Sequence, residues 1–210
     1  MQNQKQIIID TNIPLENILV VPTNELFFEG AWQGLRGLDE LDLQAYMDII
    51  QTKCLFLSRP QMEQNFNYKQ IIPYLVFKYQ DKFFLMQRGG QASESRLRSK
   101  FSLGIGGHIR EDDMQGSSIF DWARREFAEE VDYQGKLEVT MLGVLNDDSN
   151  DVGRVHLGLV MLLVGDSDQI AVKSELKSGE LLTVEECGLF ELKMENWSKL
   201  VFDYLKKYAC

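Results

Sequence analysis

The segment IIPYLVFKYQDKFFLMQR, from Ile71 to Arg88, restricts the fold more than any other part of the chain. Two runs rich in β-branched and aromatic residues flank the polar pair Gln80-Asp81, a pattern typical of a β-hairpin. Two further apolar runs, KLEVTMLGVL and RVHLGLVMLLVG, follow later and are separated by the polar segment NDDSNDVG. Both are too short to cross a membrane as helices, so we expect them to be buried strands.

Helices are expected between and after these strands. Ser117 and Ser118 are suited to cap a helix from about Ile119 to Val131. The segment MENWSKLVFDYLKKY near the C-terminus has apolar residues at helical spacing and lysines in its last turn. Earlier, ENILVVP predicts a strand ending at Pro22, and LDLQAYMDIIQ predicts a helix. This order indicates an α/β (α+β) fold with a mixed β-sheet between helices.

The length of 210 residues allows one domain, or one domain with an extension. A soft boundary near MEQNFNY, Met62 to Tyr68, separates two segments of different character. We therefore predict an N-terminal extension, residues 1–65, packed on a main domain, residues 66–210.

The formal net charge is −10, which argues against a nucleic acid polymer as partner because such binding needs basic patches. A small phosphorylated ligand is still compatible with this charge, because a bound divalent cation can reverse the local field. The first residues, MQNQKQIIID, lack the pattern of a secretory signal, so we expect a cytoplasmic protein without a membrane partner. Cys54, Cys187 and Cys210 are widely scattered and are expected to be reduced thiols.

The segment RREFAEE, Arg124 to Glu130, carries three carboxylates shortly after the glycine-rich segment GIGGHI. On a helical wheel at about 100° per residue, one arc faces the core and contains Phe120, Ala123, Phe127 and Val131. A neighbouring arc contains Glu126, Glu129 and Glu130. Like charges at this spacing repel by about 0.2–0.5 kcal/mol per pair. A hard cation such as Mg²⁺, which takes oxygen ligands, would remove that cost.

Arg125 lies four residues after Asp121 and four before Glu129, so ion pairs with either would orient the acidic cluster. A solvated helix face with surface ion pairs is the alternative interpretation of the same residues. The glycine turn directly before the helix favours the metal site, because glycines let the backbone approach a bound ion closely.

These residues resemble the box of the Nudix hydrolase superfamily, G-x5-E-x7-R-E-U-x-E-E-x-G-U, where U is aliphatic or aromatic. The second half is present as R125-E126-F127-A-E129-E130. Asp113 takes the place of the first glutamate when counted from Gly107, whereas counting back from the helix leads to Ser117, because the spacer is lengthened. Asp132 replaces the glycine after the glutamate pair, and aspartate tolerates a left-handed turn at a helix end. The resemblance extends from Ile71 to about the C-terminus.

The resemblance implies an α/β/α sandwich and metal-dependent hydrolysis of a diphosphate linkage in a small, nucleotide-derived substrate. It also implies that Mg²⁺ or Mn²⁺ is held by Glu126, Glu129 and Glu130 together with the backbone carbonyl of Gly107. Arg125 would orient the glutamates.

Other roles follow from the same resemblance. Glu126 or Glu129 would act as the general base, with Glu175 or Glu180 from a later segment as alternatives. Candidate residues for binding the substrate are Arg88, at the end of a strand, and Gly106. A non-catalytic module that binds a phosphorylated metabolite is the alternative function. Family members are often dimers, so a homodimer is also implied.

The two histidines are expected to lie outside the metal site. His108 follows the glycine pair and is expected to make hydrogen bonds in a turn, because hard cations prefer oxygen ligands. His156 begins an apolar run and is expected to be a core histidine with its hydrogen bonds satisfied.

Overall fold

The computed structural model describes residues 15–88, 100–114, 118–173 and 176–208. The strands in these ranges are β1 (Asn17–Pro22), β2 (Gly34–Gly37), β3 (Leu55–Ser58), β4 (Tyr68–Tyr79), β5 (Lys82–Arg88), β6 (Phe101–Ser102), β7 (Gly104–Gly106), β8 (Val131–Tyr133), β9 (Leu137–Asn146), β10 (His156–Gly165), β11 (Ile170–Val172) and β12 (Leu176–Thr183). The helices are α1 (Thr23–Leu26), α2 (Leu43–Lys53), α3 (Arg59–Met62), α4 (Ile119–Glu130), α5 (Asp151–Arg154), α6 (Val184–Gly188) and α7 (Asn196–Tyr208). Two short 3-10 helices span Glu111–Met114 and Glu191–Lys193.

Most strands join one mixed sheet with the order β12-β5-β4-β10-β9-β2. β4 and β10 run parallel, beginning with the pair Gln70 and His156. β10 pairs antiparallel with β9, and β12 pairs antiparallel with β5. The hairpin predicted at Gln80-Asp81 is confirmed, since these residues connect β4 to β5 and Gln80 has φ of 54°.

Helices cover both faces of this sheet. One face packs against α4, whose Trp122 and Phe127 are buried in the larger core. The opposite face packs against α7 through Val201 and Phe202. The two cores use alternate residues of the same strands, because successive side chains in a strand point to opposite faces. The predicted sandwich, a mixed sheet between helices, is confirmed.

The segment before residue 66 contributes strands to the same sheet. β1 pairs with β4 and also with β3, while β2 lies at the edge beside β9. Whether residues 1–65 and 66–210 are separate units stays a prediction. None of the helices in the described ranges has the length and apolar character needed to cross a membrane. Cys54 and Cys187 are free thiols, and Cys210 lies outside the described residues.

Helix α4 begins as predicted, and the chain after it takes a different path. The hydroxyl of Ser118 accepts a hydrogen bond from the backbone N–H of Asp121 at 3.2 Å, and the Asp121 carboxylate accepts one from the N–H of Ser118 at 3.1 Å. This capping box fixes the start of the helix. The helix ends at Glu130, close to the position that the sequence indicated, but Asp132 does not adopt the left-handed turn that aspartate tolerates: the chain passes directly into β8, where Asp132 pairs with Ala171 of β11.

Candidate active site

The glycine loop, residues 104–109, lies between β4 and helix α4. Gly106 pairs with Tyr74 of β4, and the carbonyl of Ile109 accepts a hydrogen bond from the N–H of Leu19 at 2.8 Å. Anchored at both ends, the loop holds Gly107 against α4. A Cβ at Gly107 would collide with Oε1 of Glu126. Only a glycine allows the backbone and this carboxylate to approach so closely.

The three glutamates of α4 lie close enough to repel one another. Burial, followed by the charges of Glu129 and Glu130, raises the pKa of Glu126 from 4.5 to about 7. Glu126 and Glu130 are half-buried, and Glu129 is exposed. The donors are all oxygen and the crowded negative charge has a cost that a divalent cation would remove, but the ligand atoms of the three glutamates do not all lie within 4.8 Å of one another, so a cation would have to draw them together.

Arg125 has a different ion-pair partner from the ones predicted. Its Nη2 donates to Oδ1 of Asp113 at 3.0 Å, instead of pairing with Asp121 or Glu129. Asp121 is occupied by the capping box and by Arg124, which lies 3.6 Å away. The short 3-10 helix that precedes α4 brings Asp113 next to Arg125. The two residues are too far apart in the chain for the spacing of a helix to predict this contact.

Asp113 is held from both sides. Its Oδ2 accepts from the backbone N–H of Arg110 at 2.9 Å and lies 3.3 Å from Nε of the same residue. Burial alone would raise the pKa of Asp113, but these hydrogen bonds and the charges of Arg110 and Arg125 hold it below its usual value. Asp113 therefore links Arg110, which directly follows the glycine loop, to Arg125 of helix α4. Ser117, the other candidate for the first glutamate's place, lies outside the described residues.

The remaining predicted residues are less completely described. Arg88 is the last residue of β5, and its side chain lies outside the described part. Glu180 is exposed in strand β12 and not in a loop, and Glu175 lies outside the described residues.

A cavity of about 450 Å³ opens beside the glycine loop. Gly106, Gly107 and His108 line one side, and Tyr74 and Trp197 line another, with their rings in an edge-to-face contact at 5.6 Å. The volume is within the usual range for sites of small molecules. The glutamates of α4 do not line this cavity. Gly107 lines the cavity and also lies beside Glu126, so the glycine loop separates the cavity from the glutamates.

The sequence did not reveal the surroundings of the two histidines. The hydrogen bond predicted for His108 is present, since its Nε2 lies 2.8 Å from Oε1 of Gln70. His156 is buried and its Nδ1 lies 2.6 Å from the carbonyl of Val152, as expected of a satisfied histidine. However, His156 lines the cavity and its Nε2 lies 3.4 Å from Nε2 of His108. Burial, then the charges of Arg59 and His156, lowers the pKa of His108 well below 6.5. No local motif signals this pair.

No family model matches the chain. Protein YmaB of Bacillus subtilis is 33% identical over 204 residues, which cover 91% of this chain and 98% of that protein. The crystal structure of Tm1382, a candidate Nudix hydrolase, has a TM-score of 0.75 and 31% identity, covering 91% of this chain and 99% of that one. The chain belongs to the Nudix hydrolase family.

More distant Nudix structures share the fold of this Nudix protein. The Nudix domain of NrtR from Shewanella oneidensis, crystallised with ADP ribose, has a TM-score of 0.54 at 12% identity and covers 68% of this chain and 89% of that one. At this identity the likeness concerns the fold alone.

Proposed function

We propose that this Nudix protein is a metal-dependent phosphohydrolase that cleaves a diphosphate linkage in a small, nucleotide-derived substrate. The observation that carries the proposal is the contact between the backbone of Gly107 and the carboxylate of Glu126, beside two further glutamates on one helix. The metal would be Mg²⁺ or Mn²⁺, held by Glu126, Glu129, Glu130 and the carbonyl of Gly107. Such an ion neutralises phosphate oxygens and makes a nearby water molecule more acidic.

The chain's own residues supply the other parts of the chemistry. Whichever of Glu126 and Glu129 is not bound to the metal would accept the proton of the attacking water. Arg125, tied to Asp113, would hold the start of the box against the helix and so orient the glutamates. Arg88 and the backbone of Gly106 are the proposed contacts of the diphosphate.

The proposal also includes a substrate pocket, a substrate class, a location and an oligomeric state. The cavity beside the glycine loop would receive the part of the substrate that is not diphosphate, with Trp197 as an aromatic wall. The Nudix domain of NrtR was crystallised with ADP ribose, and a bifunctional NMN adenylyltransferase/ADP ribose pyrophosphatase from Francisella tularensis is also similar in structure; both names support that substrate class. A cytoplasmic location and a homodimer are proposed with it.

A non-catalytic module that binds a phosphorylated metabolite is the second candidate. It is favoured by Asp113, which stands at the first glutamate's place yet has both oxygens in contacts with Arg110 and Arg125. A carboxylate held in this way is less available as a ligand or a base.

The test is a phosphate-release assay over nucleoside diphosphate derivatives, with Mg²⁺ and after chelation. The enzyme should turn over at least one compound only when the metal is present, and Glu130→Gln should abolish that turnover. Glu138→Gln, an exposed glutamate of β9, is the matched control and should retain full activity. Tight binding without turnover in the wild type would favour the binding module.

A further inference from the structure

A second cluster of potential metal ligands lies on the other side of the glycine loop. Glu63 follows α3, His108 belongs to the loop and His156 begins β10. One ligand atom from each of these residues lies within 4.8 Å of the other two. The residues are distant in the sequence and come from separate elements, so the fold and not local spacing brings them together.

The separation of the two imidazoles suits a shared ion. Their Nε2 atoms are 3.4 Å apart, which is long for a hydrogen bond between nitrogen atoms. Two ligands bound at about 2.0–2.1 Å with a tetrahedral angle are separated by about 3.3–3.4 Å. The observed distance matches two corners of a four-coordinate site, and metal binding would displace the Nε2 proton that His108 donates to Oε1 of Gln70 in the metal-free chain.

The orientation of His156 is the one that a metal ligand needs. Its Nδ1 lies 2.6 Å from the carbonyl oxygen of Val152, which can only accept a hydrogen bond, so the proton is on Nδ1. This leaves Nε2 unprotonated and directed towards His108. Histidine ligands of metals usually donate their second ring N–H to a carbonyl or carboxylate in this manner.

Gln70 sets the protonation of His108 in the metal-free chain. The side chain is fully buried, and its Oε1 lies 2.8 Å from Nε2 of His108. Its amide nitrogen is buried and has no hydrogen-bond partner among the described residues. This unpaired N–H has a free-energy cost, but a cation cannot accept a hydrogen bond, so the metal proposal does not depend on it.

The local charge balance also allows a cation. Arg59 is a positive group beside the cluster, with its Nε 3.3 Å from Oε1 of Glu63. Its Nη1 lies 2.7 Å from Oε1 of Glu16, so two carboxylates offset one guanidinium.

We propose that Glu63, His108 and His156 bind a divalent transition-metal ion, with Zn²⁺ as the best-suited ion. Two imidazole nitrogens and one carboxylate oxygen form a donor set that Zn²⁺ accepts and that Mg²⁺, which prefers oxygen, does not. His108 and His156 both line the cavity, so the remaining coordination positions would face it, as in sites where zinc binds a small molecule. This site is separate from the carboxylates of α4 and does not depend on the proposed hydrolase activity.

The test is a calorimetric titration of the chelator-treated full chain with Zn²⁺, carried out in excess Mg²⁺ so that the oxygen site is saturated. One equivalent should bind, and Glu63→Gln and His156→Gln should each raise the Kd by more than about 10-fold, the lower end of what even an outer-shell change costs a metal site. The amide of His156→Gln can still donate to the carbonyl of Val152, which preserves that hydrogen bond. Glu129→Gln and Glu138→Gln should leave the Kd unchanged.

Co²⁺ substitution gives a second readout. The visible absorption of bound Co²⁺ should indicate imidazole nitrogen ligands and should disappear in His156→Gln, provided that thermal unfolding shows this variant to be folded. If His156→Gln is unfolded, Glu63→Gln decides the question, since Glu63 is half-buried and at the end of a helix. Absence of Zn²⁺ binding, or equal affinity in wild type and either variant, would overturn the proposal.

Discussion

Gly107 and His108 are neighbours in the chain, but they belong to clusters of different chemistry. Gly107 contributes only backbone, which allows Glu126 to approach, and the glutamates on that side offer oxygen alone. His108 contributes an imidazole, and its cluster contains two nitrogens and one carboxylate oxygen. The first donor set suits a hard cation, and the second suits Zn²⁺.

The two clusters also differ in how the chain builds them. The glutamates of α4 lie within five successive residues of one helix, so their proximity follows from the helical repeat. The histidine cluster depends on the parallel pairing of β4 with β10, which sets Gln70 beside His156. Consecutive residues of one loop can therefore border a cluster built by local spacing and a cluster built by sheet topology.

The largest effect on activity is expected from Glu126→Gln, which removes one negative charge from the glutamates of α4 and leaves the histidine cluster unchanged. Loss of the proposed ligand and base should lower kcat/KM by about 10²–10⁴-fold. The affinity for Zn²⁺ should be unchanged, because Glu126 is not part of the histidine cluster. Steady-state kinetics and a Zn²⁺ titration of the same preparation check both statements, and a parallel loss of both properties would show that the two sides are not independent.

In metal-free protein, the pH dependence of the unfolding free energy should report on Glu126, one of the glutamates of α4. The folded chain holds the Glu126 proton up to a pKa of about 7, whereas the unfolded chain releases it near 4.5. The unfolding free energy should therefore decrease as the pH rises through this interval, by up to about 3 kcal/mol. Urea denaturation at a series of pH values measures it. Glu126→Gln should flatten the curve, and saturating Mg²⁺ should do the same in the wild type; a curve that is identical in the variant would contradict the assignment.

Gly107→Ala tests the boundary between the two sides. The added methyl group would collide with Glu126 Oε1 and approach Trp122 within 3.3 Å, so the glutamate must move. We expect reduced Mg²⁺ affinity, with a loss of only about 1 kcal/mol in unfolding free energy, because the Glu126 carboxylate ends a flexible side chain that can rotate away. Gly188→Ala is the control, since its added methyl group would meet Phe202 at an ordinary 3.6 Å. If the two variants had the same stability and the same Mg²⁺ affinity, the close approach at Gly107 would not contribute to metal binding.

The smallest effect on stability is expected from Arg125→Lys. Its ion pair with Asp113 is partly exposed, and such pairs contribute roughly 0.2–1 kcal/mol. Arg124→Lys, which affects the exposed pair with Asp121, is the matched control. Thermal unfolding should show similar small changes in both, while activity should fall only in Arg125→Lys. Full activity in that variant would remove Arg125 from the orienting role.

The parts of the molecule that the sequence predicted are those governed by local rules. The hairpin at Gln80-Asp81 and the capped helix α4 follow from turn chemistry, capping and periodicity. The ion-pair partners predicted for Arg125 were wrong, and the strand that follows Glu130 was not predicted, because both depend on contacts with distant segments. Asp132 is extended since it pairs with β11, a strand whose position no local pattern gives.

The histidine cluster could not be predicted for the same reason. Glu63, His108 and His156 show no ligand spacing in the sequence, and each is acceptable by itself as a surface or core residue. Their proximity is a product of sheet topology.

An anomalous difference map from a crystal soaked in Mn²⁺ tests the central claim most directly. We predict a peak at about 2.0–2.3 Å from carboxylate oxygens of α4, Glu126 among them, and from the carbonyl oxygen of Gly107. A map without a peak there, in a crystal where the glutamate oxygens point away from Gly107 or bind only protein groups, would contradict it.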